Sequence, residues 1–380
     1  MKVGLSATMV QGGRSGVAQY VFALVREFIK TNDIDLTLFI LKSERDLFDF
    51  AKDACRLELA PESASGPVQN ILWHQMGLPG RARKLGLDAL HVPSYRRLIH
   101  SASCPLVGTI HDLAPFHLSG KYDFMRSFYG KVVAKKLARR QDDLIAVSHD
   151  TAGDINAFFG IPQDQINVIH NGIDHERFRP ADRDADRAEM ARRCGLEKPY
   201  LLYVSRLEHP AKNHVRLIEA FEKFKVESGS DWELALGGGD WHGADVIREA
   251  AASSCVAGSI RMLGFVPDDD LPALYRAAEG MVYPSLFEGF GLPPVEAMAC
   301  GTPVISSTRG ALKEVVADAA LVVDPESPDD IATAITRLAT EDGLANALHK
   351  KGLANAARFR WDLTANKTAA VYAAAIARGS

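Results

Sequence analysis

Apolar and polar positions follow one another along this chain in two alternating patterns. Short apolar runs, typical of buried strands, are separated by longer segments in which apolar residues recur at the helical period. This succession is typical of parallel β-sheets that carry helices on both faces. The predicted strands are KVGLSA, DLTLFIL, ALHVP, LVGTIHD and DDLIAVS in the first half, and YLLYVSRL, WELALGGG, IRMLGFV, GMVYPS, PVISS and ALVVD in the second.

The pattern predicts an α/β protein with two doubly wound, Rossmann-like domains. A chain of 380 residues is long enough for each domain to bury its own core, and two such domains leave a cleft between them. Segment 176–199 alternates in charge, holds few apolar residues and has a proline at each end, which is typical of a boundary. We predict one domain at 1–178 and a second at 179–362, followed by an alanine-rich helix at 363–380.

Composition excludes several classes of protein. The 44 basic and 48 acidic residues give a net charge of −4, which argues against a nucleic-acid partner that needs a broad positive field. The five cysteines are scattered and include no Cys-x-x-Cys pair, so neither a disulfide framework nor a zinc site is indicated. No apolar run approaches the length of about 18 residues that spans a membrane. We therefore expect a cytoplasmic protein whose membrane contact, if any, is peripheral.

Two candidate sites follow strands of the first domain. Gly12, Gly13 and Gly16 lie between the first strand and a helix, where backbone N–H groups can bind an anion, although a simple turn explains them equally well. Their spacing is not the Gly-x-Gly-x-x-Gly of a dinucleotide site. His111 and Asp112 lie at the carboxyl end of the predicted strand LVGTIHD, where a histidine can donate to a substrate hydroxyl or, alternatively, to a loop carbonyl. In open parallel sheets this end of the strands faces the ligand.

The second domain offers two cations and two carboxylates at the corresponding ends of its strands. Arg206 follows one strand and Lys212 precedes a helix, a pair that suits a diphosphate, although most such charges only face solvent. Glu288 stands beside glycines in a loop, whereas Glu296 lies in the first turn of a helix that begins with two prolines. The order carboxylate, N–H cradle, carboxylate fits a nucleotide-sugar, with Glu296 on the ribose, the loop on the diphosphate and Glu288 on the hexose. A capped helix after a turn explains the prolines but not Glu288.

These motifs together resemble the retaining glycosyltransferases of the GT-B fold, specifically family four. The matching stretches keep the family's order and span nearly the whole chain; they are GGRSG, TIHD, NGID, SRLEHPAKN, the GGG of residues 237–239, MLGFVP, EGFGLPPVE and AMACGTPVI. The resemblance implies two Rossmann-like domains that face a central cleft, with the helix at 363–380 packing back on the first domain. It also implies that no metal ion or other cofactor is needed, because cationic side chains do that work.

The resemblance assigns expected roles to individual residues. Arg206 and Lys212 would bind the diphosphate of the donor, Glu288 its sugar and Glu296 its ribose. The remaining expected donor contacts are Gly13, Phe265, Val266 and the backbone of Phe290, Gly291 and Leu292. The residues expected to take part in catalysis are His111, Arg206, Lys212 and Glu288.

The expected reaction transfers a hexose with retention of configuration. No carboxylate stands out as a nucleophile, since Glu288 reads better as a hydroxyl acceptor. Front-face transfer is therefore favoured, in which the leaving diphosphate helps to deprotonate the acceptor while Arg206 and Lys212 stabilise its charge. Similarity to mannosyltransferases of polysaccharide clusters favours GDP-mannose as the donor and leaves UDP-glucose or another UDP-hexose open.

The acceptor site is less clearly marked. Aromatic and cationic side chains of the first domain could stack on a sugar or contact a phosphate; they are Trp73, His74, Tyr95, Arg96 and Arg97. Segment 121–140 carries seven basic residues and one acidic residue among aromatics, which suits either an anionic membrane surface or a solvated helix. Together they favour a glycan or a polyprenyl-diphosphate-linked oligosaccharide of bacterial surface-polysaccharide synthesis as the acceptor.

Three other functions use parts of the same pattern. A nucleotide-sugar epimerase of the same fold would need further acid and base groups beyond His111 and Asp112. An NAD-dependent oxidoreductase is disfavoured because the dinucleotide fingerprint is absent, as is an acidic residue at the end of the strand DLTLFIL. A sugar-binding protein without turnover would not need the complete donor constellation.

Overall fold

The computed structural model describes residues 1–13, 15–117 and 129–379. The chain forms two compact units, the first made of Met1–Gly172 and Trp361–Ser380 and the second of Ile173–Arg360. Part of the predicted basic segment, residues 121–128, lies outside the described residues. Within the described part of the chain, no helix is both long enough and apolar enough to cross a membrane.

The first unit contains a seven-stranded parallel sheet in the order β3-β2-β1-β4-β5-β6-β7. Its strands are β1 (Lys2–Ser6), β2 (Asp35–Leu41), β3 (Arg56–Ala60), β4 (Ala89–Val92), β5 (Leu106–Ile110), β6 (Asp143–Ala146) and β7 (Ile166–Val168). The α-helices are α1 (Gly16–Thr31), α2 (Pro67–Leu72), α3 (Leu78–Leu85), α4 (Ala114–His117), α5 (Lys135–Ala138), α6 (His149–Asp154) and, from the C-terminus, Trp361–Gly379. A π-helical turn, Trp73–Gly77, connects α2 to α3.

The second unit contains a six-stranded parallel sheet in the order β10-β9-β8-β11-β12-β13. Its strands are β8 (Tyr200–Val204), β9 (Glu233–Gly237), β10 (Ile260–Gly264), β11 (Gly280–Tyr283), β12 (Val304–Ser307) and β13 (Ala320–Val323). Its α-helices are α7 (Arg183–Cys194), α8 (His214–Ser228), α9 (Ala244–Ser253), α10 (Leu271–Ala277), α11 (Leu292–Ala299), α12 (Leu312–Val316), α13 (Pro328–Thr340) and α14 (Leu344–Ala356). The C-terminal helix of the first unit is therefore α15.

Both sheets have the doubly wound order, so the predicted fold class is confirmed. In each sheet the strand order reverses beside the first strand of the unit, between β1 and β4 and between β8 and β11. Ligands of such folds bind at the carboxyl ends of the strands beside this reversal. Strands β3 and β7 are not in the list of predicted strands, because they are the edge strands of this sheet and their partly exposed residues interrupt the apolar run that marks the central strands.

The charged segment 176–199 contributes a helix to the second unit. Helix α7 packs on α10, and the Arg276 guanidinium binds both carboxylate oxygens of Asp186, at 2.5 Å from Nε and 2.8 Å from Nη2. Both side chains are largely buried, with exposures of 14% and 12%. At Asp186, therefore, one of the alternating charges of this segment forms a buried bidentate ion pair.

Helix α15 is anchored in the first unit by buried polar contacts. The hydroxyl of Tyr372 lies 2.7 Å from Nδ1 of His91, whose Nε2 lies 2.8 Å from Oγ1 of Thr109. Tyr20 of α1 extends this network with a 3.2 Å contact between its hydroxyl and the same Thr109 oxygen. Burial lowers the pKa of His91 to about 3, so the imidazole is neutral and one of its nitrogens needs a donor.

We expect Tyr372→Phe to destabilise the first unit by about 1–3 kcal/mol, because it leaves a buried imidazole nitrogen without its partner. Urea unfolding followed by circular dichroism measures the effect. Lys367→Ala, an exposed change on the same helix, is the matched control and should leave the unfolding midpoint in place. Equal midpoints for Tyr372→Phe and the control would show that the network does not stabilise the unit.

Candidate functional site

The loops that follow β8 and β11 meet at the carboxyl edge of the second sheet. The N–H of Leu286 donates to the carbonyl of Ala211 at 3.0 Å, and the hydroxyl of Ser285 donates to the same oxygen at 3.3 Å. The Tyr203 hydroxyl donates to the carbonyl of Lys212 at 2.6 Å. These bonds hold both loops at the position where the strand order reverses.

Lys212 and Glu288 form an ion pair at this edge. The Nζ atom of Lys212 lies 2.6 Å from Oε1 of Glu288, and the side chains are only 15% and 13% exposed. The hydroxyl of Tyr283, the last residue of β11, donates to the same carboxylate oxygen at 2.9 Å. Burial acts to raise the pKa of Glu288, but the Lys212 charge and hydrogen bonds from Lys212, Ser285 and Tyr283 hold that pKa below its usual value. Glu288 is therefore ionised at neutral pH.

A third loop, after β12, supports the backbone of Glu288. The N–H of Ala311 donates to the Glu288 carbonyl at 2.9 Å. Gly310 has a φ of 62°, and a Cβ atom there would lie 2.3 Å from that same carbonyl oxygen. Only glycine combines this backbone conformation with so close an approach. The position of Glu288 therefore depends on Gly310 as well as on Lys212.

Helix α11 starts beside this ion pair. It begins at Leu292 and carries prolines in its first turn, as the sequence predicts, so two backbone positions there have no N–H group that needs a partner. Gly291 precedes the helix in a left-handed conformation without a side-chain cap. The positive end of the helix dipole and the adjacent N–H groups are suited to bind an anion near Lys212.

Glu296 occupies a different electrostatic environment in the same helix. It accepts a hydrogen bond of 3.0 Å from the hydroxyl of Tyr275. Burial raises its pKa to about 7, an effect that Tyr275 and the charge of Arg177 oppose and the charge of Asp268 reinforces. The two glutamates therefore differ in protonation, since Glu288 is held ionised and Glu296 titrates near neutrality.

Arg206 pairs with a carboxylate that the sequence analysis did not single out. Its Nη2 atom lies 3.2 Å from Oε2 of Glu208, whose side chain is 2% exposed, while the Arg206 side chain is 51% exposed. Lys212 and Arg206 thus stand on the same loop but have different acidic partners. Both predicted diphosphate-binding cations are held by carboxylates.

The other predicted donor contacts of the second unit differ in exposure. Phe265 follows β10 and is largely exposed, whereas Val266 packs against Gly237, where a Cβ would lie 3.1 Å from the valine Cγ2 atom. The Phe290 side chain is buried and meets the ring of Phe359 edge-on, with centroids 5.5 Å apart.

His111 and Gly13 belong to the first unit. Burial lowers the pKa of His111 to about 4, against the opposing effects of Asp112 and of a hydrogen bond to the Pro93 carbonyl. Its Nε2 atom is buried and has no hydrogen-bond partner among residues 1–13, 15–117 and 129–379. The carboxylate of Asp112 accepts the N–H of Ala114, the first residue of α4, at 3.0 Å. His111 is thus a neutral imidazole with one unused nitrogen.

The glycine loop is anchored by an acidic side chain that the sequence analysis did not single out. The N–H of Gly12 donates to Oε1 of Glu44 at 2.9 Å, and the N–H of Gly13 donates to the carbonyl of Val10 at 3.0 Å. Burial raises the pKa of Glu44, partly offset by the Gly12 hydrogen bond.

The predicted acceptor residues separate into buried and partly exposed side chains. Trp73 and His74 are buried, and His74 lies 2.9 Å from the Ser6 hydroxyl and 2.7 Å from the carbonyl of Asn70. Burial lowers the pKa of His74 to about 3. Tyr95 is buried but its hydroxyl accepts a 3.0 Å hydrogen bond from the partly exposed Arg96. Only part of this predicted set is therefore open to a ligand directly.

Sequence reasoning missed four residues that build the site. Tyr283 and Tyr275 donate to the two glutamates, Glu208 pairs with Arg206, and Gly310 admits the backbone of Glu288. Gly310 and Tyr283 had a usable signal, since each lies at or just after the carboxyl end of a strand, where the site was expected. Tyr275 lies on a helix and had none.

Comparison with known proteins supports one family for both units. The model described as "Glycosyltransferase Family 4" matches residues 14–177, and the model described as "Glycosyl transferases group 1" matches residues 186–354. The "O-antigen chain mannosyltransferase B" of Escherichia coli is 33% identical over 273 residues, which cover 70% of this chain and 69% of that protein. The "D-inositol 3-phosphate glycosyltransferase" of Salinispora arenicola is 29% identical over 96% of this chain and 88% of its own.

A solved structure supports the same fold. The HepE protein of Anabaena, determined in complex with UDP and glucose, superimposes with a TM-score of 0.79 at 19% identity and covers 98% of this chain and 100% of its own. The sequence matches and the two doubly wound sheets together show that this chain belongs to the glycosyltransferase family that the two models describe, and that it is an enzyme of the GT-B fold.

Proposed function

We propose that the chain is a retaining α-mannosyltransferase that transfers mannose from GDP-mannose to a glycan or a polyprenyl-diphosphate-linked oligosaccharide of bacterial surface-polysaccharide synthesis. The main support for a donor site is the Lys212–Glu288 ion pair beside the start of α11. It combines a cation, a helix N-terminus and an ionised carboxylate at the carboxyl edge of one sheet. A sugar diphosphate can use all three, because its phosphates suit the cation and the helix N-terminus and its hydroxyls suit the carboxylate.

The proposed donor would reorganise this ion pair. A diphosphate oxygen competes with Glu288 for the Lys212 ammonium, and a sugar hydroxyl then donates to the carboxylate oxygen that Lys212 leaves. Arg206 contributes a second positive charge, and Glu296 accepts from the ribose hydroxyls. Because these cations meet the charge of the diphosphate, we propose that the reaction needs no metal ion or other cofactor.

The proposed mechanism is front-face transfer. The bond between the anomeric carbon and the diphosphate oxygen breaks, and the acceptor oxygen bonds to the same face of that carbon. The acceptor proton passes to the leaving diphosphate, whose charge Lys212 and Arg206 stabilise. Glu288 is a poor nucleophile in this arrangement because the Tyr283 hydroxyl donates to its Oε1 atom and, in the proposed donor complex, a sugar hydroxyl takes the place of Lys212 on the same carboxylate. His111, as a neutral imidazole, would contact a sugar hydroxyl without adding charge.

The choice of mannose rests on relatives. The Escherichia coli protein carries mannosyltransferase in its name, and its O-antigen context is a surface polysaccharide. A UDP-hexose-dependent transferase is the second candidate, because the HepE structure was determined in complex with UDP and glucose.

Membrane contact through segment 121–140 stays a proposal, and only residues 129–140 of it are described. In that part the Nε atom of Arg139 donates to the carbonyl of Phe159 at 2.8 Å, so this arginine has a structural task. Lys135, Lys136 and Arg140 would supply the contact with anionic lipid. Sedimentation with anionic vesicles tests it, and charge reversal of these three residues that leaves sedimentation unchanged would contradict it.

Assays with GDP-mannose, UDP-glucose and NAD as alternative ligands test the proposed function. We expect slow hydrolysis of GDP-mannose, faster release of GDP when a lipid-diphosphate glycan is added, retention at the anomeric carbon in the product, and unchanged rates in EDTA. NMR of the product and release of nucleoside diphosphate measure these outcomes. Turnover of UDP-glucose but not of GDP-mannose would favour the second candidate. An increase in the melting temperature of the protein with NAD, without turnover of any nucleotide-sugar, would exclude both candidates.

Lys212→Met should lower kcat/KM by about 100-fold or more, the usual effect of removing one group that stabilises charge in the transition state. The change also leaves Glu288 buried without its cation, so its pKa should rise. Steady-state kinetics with the active donor measures the loss. Lys223→Met is the matched control, because Lys223 forms an ion pair with Asp329 on the surface of the same unit. Similar kcat/KM values for the two variants would show that Lys212 does not stabilise the charge of the diphosphate.

Donor affinity should depend on pH through Glu296. Its carboxyl is protonated below its pKa of about 7, so the affinity for the intact nucleotide-sugar should increase as the pH rises through 7, where the ionised form accepts both ribose hydroxyls. Calorimetric titration between pH 6 and pH 8, on the order of one unit either side of that pKa, measures the effect. Glu296→Gln should bind weakly with little dependence on pH. A wild-type affinity that is constant across this range would contradict the assignment.

A further inference from the structure

Arg206 lies between an acidic and an aromatic side chain. Its guanidinium carbon is 4.7 Å from the ring centroid of Trp241, and its Nη2 atom is 3.2 Å from Oε2 of Glu208. Glu208 is buried, whereas Trp241 is 55% exposed. An exposed tryptophan that covers a half-exposed arginine restricts where that arginine can point.

Backbone pairing beyond the ends of β8 and β9 fixes Trp241 beside this arginine. The N–H of Leu207 donates to the carbonyl of Gly239 at 2.9 Å, and the N–H of Trp241 returns a bond of 3.2 Å to the carbonyl of Leu207. The N–H of His209 donates to the carbonyl of His242 at 2.9 Å. The loop that carries Trp241 is therefore attached along its length to the loop that carries Arg206.

Gly238 makes this close attachment possible. A Cβ atom at this position would lie 1.8 Å from the carbonyl oxygen of Ser205, and the backbone has a φ of 154°. The N–H of Gly238 donates to the carbonyl of Gly264 at 2.7 Å, which ties the same turn to the end of β10. The two loops thus approach as closely as backbone atoms allow.

We propose that Trp241 is a positioning residue that holds the Arg206 guanidinium ready for the diphosphate of the donor. This inference rests on the proposed function, in which Arg206 binds that diphosphate. A long arginine side chain loses considerable freedom when it binds an anion, and a ring that restricts it beforehand reduces that loss. Glu208 restrains one edge of the guanidinium and Trp241 one face, so that rotation of the planar group is limited in two directions.

Nucleotide binding to Trp241 variants tests the proposal. We expect Trp241→Ala to weaken binding of GDP or UDP, whichever the wild type binds, by about two- to five-fold, the range of an exposed cation–π contact. Trp241→Phe, which keeps an aromatic face, should recover most of the affinity. The parent nucleoside, guanosine or uridine, has no phosphate and should bind all three proteins equally. Isothermal calorimetry measures each affinity, and Val226→Ala, an exposed change on α8, is the control.

A double-mutant cycle separates positioning from other effects. If Trp241 acts through Arg206, then Trp241→Ala should change nothing further in an Arg206→Gln background. An equal loss in both backgrounds, or no loss in either, would overturn the inference while leaving the proposed function in place. Arg206→Gln with unchanged affinity, or a wild type that binds neither nucleotide, would overturn the role of Arg206 as a donor ligand and the inference with it.

Discussion

A nearly buried glutamate stays ionised only when a cation or hydrogen-bond donors offset its burial, and the candidate site of the second unit is organised around such a cation, Lys212. Lys212 comes from the loop after β8 and Glu288 from the loop after β11, so their 2.6 Å contact requires these strands to be neighbours. The doubly wound order makes them neighbours, because the sheet grows outward in both directions from β8. Tyr283 and Gly310 then fix the side chain and the backbone of Glu288. The ion pair therefore forms because the strand order places these two loops side by side.

The same residue type takes two protonation states within nine positions of the chain. Glu288 faces the Lys212 ammonium, which keeps its pKa low, whereas the Tyr275 hydroxyl and the charge of Arg177 do not overcome the effect of burial on the pKa of Glu296. Enzymes commonly separate the tasks of carboxylates in this way. In the proposed donor complex, the carboxylate that meets the sugar is already ionised when the donor arrives, and the one that meets the ribose responds to pH.

Both cations that we propose to bind the diphosphate have a carboxylate partner when no ligand is bound. Both Arg206 and Lys212 rest on carboxylates, and a diphosphate would have to displace or share these partners. The Lys212 ammonium is largely buried and would be costly without a partner, so its pairing with Glu288 keeps the site stable until an anion arrives. Trp241 adds an uncharged restraint on Arg206, one that holds the guanidinium without competing for its hydrogen bonds.

Sequence alone determined the fold class and the local structure around the site. Apolar runs at strand length predicted every strand of the second sheet, and proline and glycine positions predicted that α11 begins near Leu292, because these signals depend on neighbours in the chain. Strand β3 lacked the apolar run, since an edge strand is only partly covered. Tertiary structure alone decided which side chains meet: that Lys212 contacts Glu288, that Glu208 and Trp241 enclose Arg206, and that Trp73 and His74 lie inside the first unit. The Lys212–Glu288 and Arg206–Trp241 contacts join residues far apart in the chain, and the energies of all these contacts depend on distance and burial, which residue type and spacing do not specify.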